Sequence, residues 1–128
     1  MKWTDTLREI RDQASAVTGL PLNCVLANLY RDGSDSVAWH ADEEPQLGES
    51  PAIVSVSLGE SRKFQFKRKP QLGLSEEQQA ERHEILLETG MLVLMEPGVQ
   101  EHWVHQVPKT KLPVGARINL TFRYITPR

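Results

Sequence analysis

The sequence predicts one mainly β domain, built as a β-sandwich, jelly roll or barrel and preceded by a single helix. About eight short apolar or alternating segments follow one another with turn residues between them, which is typical of these architectures. Helical spacing is confined to the start of the chain. The 128 residues contain no repeat or linker, so we expect residues 1–128 to form a single domain, with a helix over about 4–19 and a β core over about 22–126.

The predicted helix has start and stop signals at both ends. Thr4 or Asp5 provides a side-chain oxygen for an N-cap, and Gly19 followed by Pro21 ends the helix. Apolar residues recur at helical spacing between these signals. This stripe comprises Leu7, Ile10, Ala14 and Val17.

The predicted strands lie, in chain order, at 22–30, 37–40, 53–58, 62–67, 84–87, 91–95, 103–107 and 117–125. A polar insertion at 68–83 interrupts this series. Within it, Ser75 is placed to cap a short helix that runs through Gln79, because a serine followed by glutamates and glutamines is a good helix start. The alternative for this insertion is an irregular loop.

Composition excludes several classes of protein. The single cysteine, Cys24, cannot form an internal disulfide, which favours an intracellular location, cytoplasmic or nuclear in a eukaryote. No apolar run has the length of a membrane helix, and we expect no membrane association and a monomer. The net charge of −2 argues against a basic coat for nucleic acid, although basic residues cluster at 62–69 and 109–128.

The last strand places four polar side chains on one face. Because side chains alternate along a strand, this face comprises Arg117, Asn119, Thr121 and Arg123. One interpretation is an amphipathic strand with its polar face in water. The other is a polar pocket wall whose guanidinium groups bind a carboxylate or a phosphate.

A second set of residues has the chemistry of a metal site. His40 and Asp42 lie on the same side of an extended segment, and a distal histidine in the strand at 103–107 completes two imidazoles and one carboxylate. This is the donor set of non-haem Fe(II) oxygenases. His102 and His105 are both candidates for the third ligand, and spacing does not choose between them. A surface His-x-Asp pair without a metal is the alternative.

Six segments together resemble the AlkB family of Fe(II)/2-oxoglutarate dioxygenases, and most closely its branch that repairs alkylated DNA and RNA. They lie in family order at 28–33, 39–45, 53–59, 64–66, 103–108 and 117–123. The last segment, Arg-Ile-Asn-Leu-Thr-Phe-Arg, matches the family signature in full. The resemblance implies a double-stranded β-helix, which is a jelly roll, and the cofactors Fe(II), 2-oxoglutarate and O₂.

The resemblance also implies roles for individual residues. The iron ligands, which are the catalytic residues, are His40, Asp42 and His105. The residues that bind 2-oxoglutarate are Asn28, Tyr30, Arg117, Asn119, Thr121 and Arg123, with Arg117 on the distal carboxylate. Glu44 contacts the damaged base. The histidine in the Trp-x-His context is the ligand, which selects His105 over His102.

The implied activity is oxidative demethylation of N-methyl lesions, such as 1-methyladenine and 3-methylcytosine, in DNA or RNA, releasing formaldehyde, succinate and CO₂. The expected partner is methylated, single-stranded nucleic acid, since the target base must leave its stack. The basic segments at 62–69 and 109–128 are the expected phosphate contacts. Repair members carry an N-terminal nucleotide-recognition lid, and none is evident in this sequence. The alternatives are a hydroxylase or demethylase of a protein or small molecule, and a non-catalytic binding module on the same fold.

Overall fold

A computed structural model describes residues 3–48 and 50–125. Helix α1 spans Asp5–Thr18, and the Thr4 side chain caps it by accepting a hydrogen bond from the Leu7 amide at 3.1 Å. Gly19 ends α1 in the left-handed conformation (φ 75°), which glycine adopts without a Cβ penalty. Within the described ranges, no helix is both long and apolar enough to cross a membrane.

The prediction that Val17 belongs to the apolar stripe of the helix is wrong. Val17 is 78% exposed, because the chain turns away at Gly19. Leu20, which follows the helix, packs against the sheet together with Leu7 and Ile10.

Eight strands form two four-stranded antiparallel sheets. They are β1 (Cys24–Tyr30), β2 (Val37–His40), β3 (Ile53–Gly59), β4 (Arg62–Arg68), β5 (Arg82–Leu87), β6 (Leu92–Met95), β7 (Trp103–Val107) and β8 (Arg117–Arg123). The first sheet has the order β1-β8-β3-β6 and the second has the order β2-β7-β4-β5. Each sheet therefore joins strands that are distant in sequence, as in a jelly roll. The predicted mainly β fold with an N-terminal helix is confirmed.

Two apolar clusters hold these layers together. One lies between the sheets and is centred on Ile53, Phe64 and Leu87. The other lies between α1 and the outer face of the first sheet, where Val54 and Phe122 are fully buried. Because β3 contributes alternate residues to both clusters, this strand is buried on both faces, which explains its unbroken run of buried positions from Ile53 to Ser57.

Short helices fill two of the connections. The predicted helix in the polar insertion is confirmed as α2 (Glu76–Gln79), where Ser75 and Gln78 form a reciprocal capping box. A four-residue helix, α3 (Val99–His102), leads directly into β7 and was not predicted. A 3₁₀ turn at Pro45–Leu47 follows β2.

Candidate metal centre and adjoining pocket

Three predicted ligands converge at one end of the inter-sheet space. His40 is the last residue of β2 and lies opposite His105 of β7 in the strand pairing. Asp42 lies in the segment that follows β2, with its two carboxylate oxygens each 3.9 Å from one histidine Nε2. One donor atom from each of the three residues lies within 4.8 Å of the others. The structure thus brings together the two imidazoles and one carboxylate that the sequence predicted.

The two imidazoles are held by different contacts. His40 Nδ1 donates a hydrogen bond to the Ala38 carbonyl at 2.8 Å, which leaves its Nε2 lone pair directed toward Asp42. The His105 ring is buried, with Phe64 and Phe66 ring centres 5.2 and 5.8 Å away. Burial, reinforced by the neighbouring His40, lowers the pKa of His105 to about 3. His105 is therefore neutral near pH 7 and has a lone pair for a metal.

Asp42 is held from its backbone. Its amide N–H donates to Oε1 of Gln100 at 2.8 Å, and Gln100 is only 2% exposed. Burial raises the pKa of the Asp42 carboxyl, and Glu44 adds to this rise, while His40 and Arg123 oppose it. A cation between the three donors would compensate the burial of this carboxylate.

His102 lies outside the metal cluster. It ends α3 rather than standing in β7, its side chain is exposed, and its Nδ1 lies 3.0 Å from Nε2 of Gln71. Strand β7 begins at Trp103, as predicted, so His105 stands in the strand and His102 precedes it. The geometry agrees with the choice of His105 that the resemblance implied.

A cavity of about 70 Å³ adjoins the three donors between the two sheets. Its polar lining includes five of the predicted 2-oxoglutarate residues, together with a serine of β3. These residues are Asn28, Tyr30, Ser55, Asn119, Thr121 and Arg123. The polar face of β8 thus lines the interior, and the alternative of a solvated face is wrong.

Arg117 is buried at the end of this polar face. It is 1% exposed, and its Nη2 donates to Ser57 Oγ at 2.8 Å and to Asn119 Oδ1 at 3.3 Å. Its Nε and Nη1 have no hydrogen-bond partner among the described residues, and its guanidinium carbon lies 5.1 Å from the Tyr30 ring centre. Burial lowers the pKa of Arg117 and raises that of Tyr30. Unpaired N–H groups on a buried cation are suited to an anionic ligand such as a carboxylate.

Glu44 lies in the segment after β2, next to Arg123 of the pocket lining. Its Oε1 lies 3.4 Å from Nη1 of Arg123, and about half of the Glu44 side chain is exposed. Arg123 is 8% exposed, and its Nε has no partner among the described residues. The predicted substrate-contacting glutamate therefore lies between solvent and a predicted 2-oxoglutarate residue.

Sequence reasoning missed two buried polar residues beside the site. Gln100 carried no signal, because a four-residue helix is too short for periodicity. Arg62 was assigned to a basic surface, but it is 3% exposed and donates to the carbonyl oxygens of Asp32, Asp35 and Pro108. An arginine in phase with Phe64 and Phe66 on an alternating strand was the available signal.

Fewer basic side chains are available for phosphate contacts than the segments at 62–69 and 109–128 contain. Three of their arginines are buried, and these are Arg62, Arg117 and Arg123. Lys67 lies over the Trp39 ring and Lys69 pairs with Glu43. The exposed lysines of these segments are Lys109, Lys111 and Lys63, and Lys63 lies 3.6 Å from Glu84 Oε1.

Comparison with known proteins gives a consistent assignment. The profile of the 2OG-Fe(II) oxygenase superfamily matches residues 1–123. The human "Alpha-ketoglutarate-dependent dioxygenase alkB homolog 3" is 40% identical over 126 residues, which are 98% of this chain and 44% of the relative. The human "DNA oxidative demethylase ALKBH2" is 39% identical over 123 residues, which are 96% of this chain and 47% of the relative. This chain therefore spans about half the length of these relatives.

A solved structure supports the same fold. The protein described as "The structure of OsALKBH1" superposes with a TM-score of 0.65 at 21% identity, covering 96% of this chain and 66% of that one. This likeness concerns the fold alone. The profile match over nearly the whole chain and the sequence identity to the two human relatives confirm the AlkB-type resemblance of the sequence motifs. The chain belongs to the 2OG-Fe(II) oxygenase superfamily.

Proposed function

We propose that this chain is an Fe(II)- and 2-oxoglutarate-dependent oxidative demethylase that acts on N-methylated bases of DNA or RNA. The observation that carries the proposal is the cluster of His40, Asp42 and His105 beside a pocket whose lining residues Asn119 and Tyr30 contact the buried, incompletely paired Arg117. A metal site and an anion site next to one another are what a dioxygenase of this family needs. We further propose that residues 1–128 form one catalytic domain.

The residues fit the two groups that the family implies. Two imidazoles and one carboxylate suit Fe(II), and with three protein ligands they leave coordination positions for a cosubstrate. We assign Arg117 to the distal carboxylate of 2-oxoglutarate, with Tyr30 beside it. The other pocket residues assigned to 2-oxoglutarate are Asn28, Asn119, Thr121 and Arg123. When bound with 2-oxoglutarate and O₂, Fe(II) supplies the oxidising power that hydroxylates an N-methyl carbon.

The residues of the chain orient the metal ligands and keep water away from part of the site. The Phe64 and Phe66 rings fix the His105 imidazole and keep that side of the site apolar. The hydrogen bond from His40 Nδ1 to Ala38 holds the other imidazole in the tautomer that can bind a metal. Such positioning contributes to catalysis by holding reacting groups in productive geometry.

The nucleic-acid substrate is proposed from the relatives. The name "DNA oxidative demethylase" belongs to relatives at 38–39% identity, and the half-exposed Glu44 carboxylate contacts Arg123 of the pocket lining. We propose that Glu44 contacts the methylated base and that single strands are preferred, because the base must be unstacked to reach the pocket. We also propose that the protein is a monomer. The single cysteine favours an intracellular location, because it cannot form an internal disulfide.

The decisive experiment is a panel of methylated oligonucleotides. DNA and RNA strands carrying 1-methyladenine or 3-methylcytosine, single or paired, are incubated with the chain, Fe(II), ascorbate and 2-oxoglutarate. We expect formaldehyde and succinate in equal amounts, with single strands turning over faster. Asp42→Ala should abolish both products, since it removes the only carboxylate of the cluster.

Three results would count against the proposal. Succinate without loss of the methyl group would favour a protein or small-molecule substrate. Full turnover by Asp42→Ala would overturn the site itself. An unreactive chain that still binds 2-oxoglutarate would favour a binding module.

A further inference from the structure

We propose that Gln100 is a positioning residue of the metal centre, which holds Asp42 in place through its backbone. The inference rests on the iron site of the proposed function. It concerns a residue that contributes no donor atom to the cluster of His40, Asp42 and His105. Its role is to fix the one ligand that no strand holds.

Asp42 has no support from strand pairing. Strand β2 ends at His40, and Asp42 lies in an irregular segment before the turn at Pro45–Leu47. A partly buried amide N–H outside a ladder needs another acceptor. The Gln100 side-chain oxygen supplies it at 2.8 Å across 58 residues of sequence.

Gln100 is itself rigidly placed. It is 2% exposed and belongs to α3, and its Nε2 lies 3.6 Å from Sδ of the buried Met95. A glutamine side chain loses much conformational freedom on burial, so a fully buried one is retained where its polar atoms are used. The acceptor bond to Asp42 is the stronger of its two contacts, because a thioether sulfur is a weak acceptor.

The position of Gln100 in the chain links two ligands. Helix α3 continues without a gap into β7, so Gln100 stands five residues before His105 on one continuous segment, and both of these side chains are buried. This segment provides one metal ligand directly and fixes a second through the amide of Asp42. A shift of α3 would therefore change the separation of the Asp42 and His105 donors, which now have a 3.9 Å contact.

The test measures binding of Co(II) alone to the 128-residue chain, by calorimetry and by the visible absorption of the bound ion. Gln100→Met keeps the length of the side chain but removes the acceptor, and we expect Co(II) affinity to fall about 10–100-fold with an altered absorption spectrum. Gln100→Glu retains an acceptor oxygen, and we expect affinity within about threefold of wild type. Urea unfolding of each metal-free variant measures its stability separately.

Gln106→Met is the matched control. Gln106 neighbours His105 but donates to Gln65 at 2.7 Å on the outer face of the sheet, so the same substitution there should leave Co(II) affinity unchanged. Wild-type affinity and spectrum in a folded Gln100→Met would overturn the positioning role, as would an equal loss in Gln106→Met or in Gln100→Glu. A wild-type chain that binds no Co(II) would instead overturn the metal site and the proposed function with it.

Discussion

Two arginines are equally buried in this fold, and the same substitution should affect them in opposite directions. Arg62 is 3% exposed and donates to three backbone carbonyls. Arg117 is 1% exposed and leaves Nε and Nη1 unpaired among the described residues. If Arg117 binds an anionic ligand, its buried and incompletely paired charge should destabilise the ligand-free protein.

The magnitudes follow from these contacts. An unpaired buried polar group costs about 1–3 kcal/mol, and replacing an incompletely compensated buried charge by an apolar residue is often stabilising by about 1–4 kcal/mol. Since Arg117→Met also loses the bonds to Ser57 and Asn119, we expect a net gain of about 1–2 kcal/mol in the unfolding free energy. Arg62→Met leaves three carbonyls without their donor and should lose on the order of 3 kcal/mol.

Urea unfolding of the metal-free variants measures both changes. In the presence of Mn(II), calorimetry should then show that Arg117→Met binds 2-oxoglutarate about 100-fold more weakly, since two charge-assisted hydrogen bonds are lost. A loss of stability in Arg117→Met as large as that in Arg62→Met would refute the reasoning. Unchanged 2-oxoglutarate affinity would refute the assignment of Arg117 to the carboxylate.

Two further predictions concern acid stability and a tight loop contact. His105 has a pKa of about 3 in the fold against about 6.5 when unfolded, so the unfolded chain binds the extra proton. The unfolding free energy of the metal-free chain should therefore fall by up to about 1.4 kcal/mol per unit between pH 6.5 and 5, and His105→Phe should flatten this slope in urea titrations. Gly33→Ala would place a Cβ 2.3 Å from the Thr110 carbonyl oxygen, which is backbone, and should destabilise by about 1–3 kcal/mol. Gly115→Ala meets no atom within 4 Å and should be near neutral in the same assay.

The helices and strands with a periodic or local sequence signal were predictable from sequence. Short apolar or alternating segments located all eight strands, and alternation placed the four polar side chains of β8 on one face, which lines the interior. Local capping chemistry predicted α1 and α2, because Thr4 and Ser75 each accept a hydrogen bond from an amide three residues away. These signals are local, so they survive in a single sequence.

The contacts that depend on folding in three dimensions were not predictable. Arg62 reads as one of several basic surface residues until the loops at 32–35 and 108 close over it. Val17 fits the helical stripe but lies beyond the reach of the sheet. Gln100 shows no pattern at all, since its partner is 58 residues away. In each case the burial or exposure of the side chain depends on residues that are distant in sequence.

The metal centre combines ligands fixed by regular strand pairing with one ligand fixed by a long-range side-chain contact. His40 and His105 are opposite residues of paired strands, so the sheet that forms the fold also fixes two ligands relative to one another. Asp42 comes from an irregular segment, where strand pairing gives no such constraint, and its position depends on a single side chain, Gln100. Of the three ligands, Asp42 therefore has the weakest constraint on the position of its donor atoms, on which metal affinity depends. A substitution that alters the metal site without touching a ligand should have its largest effect through this hydrogen bond.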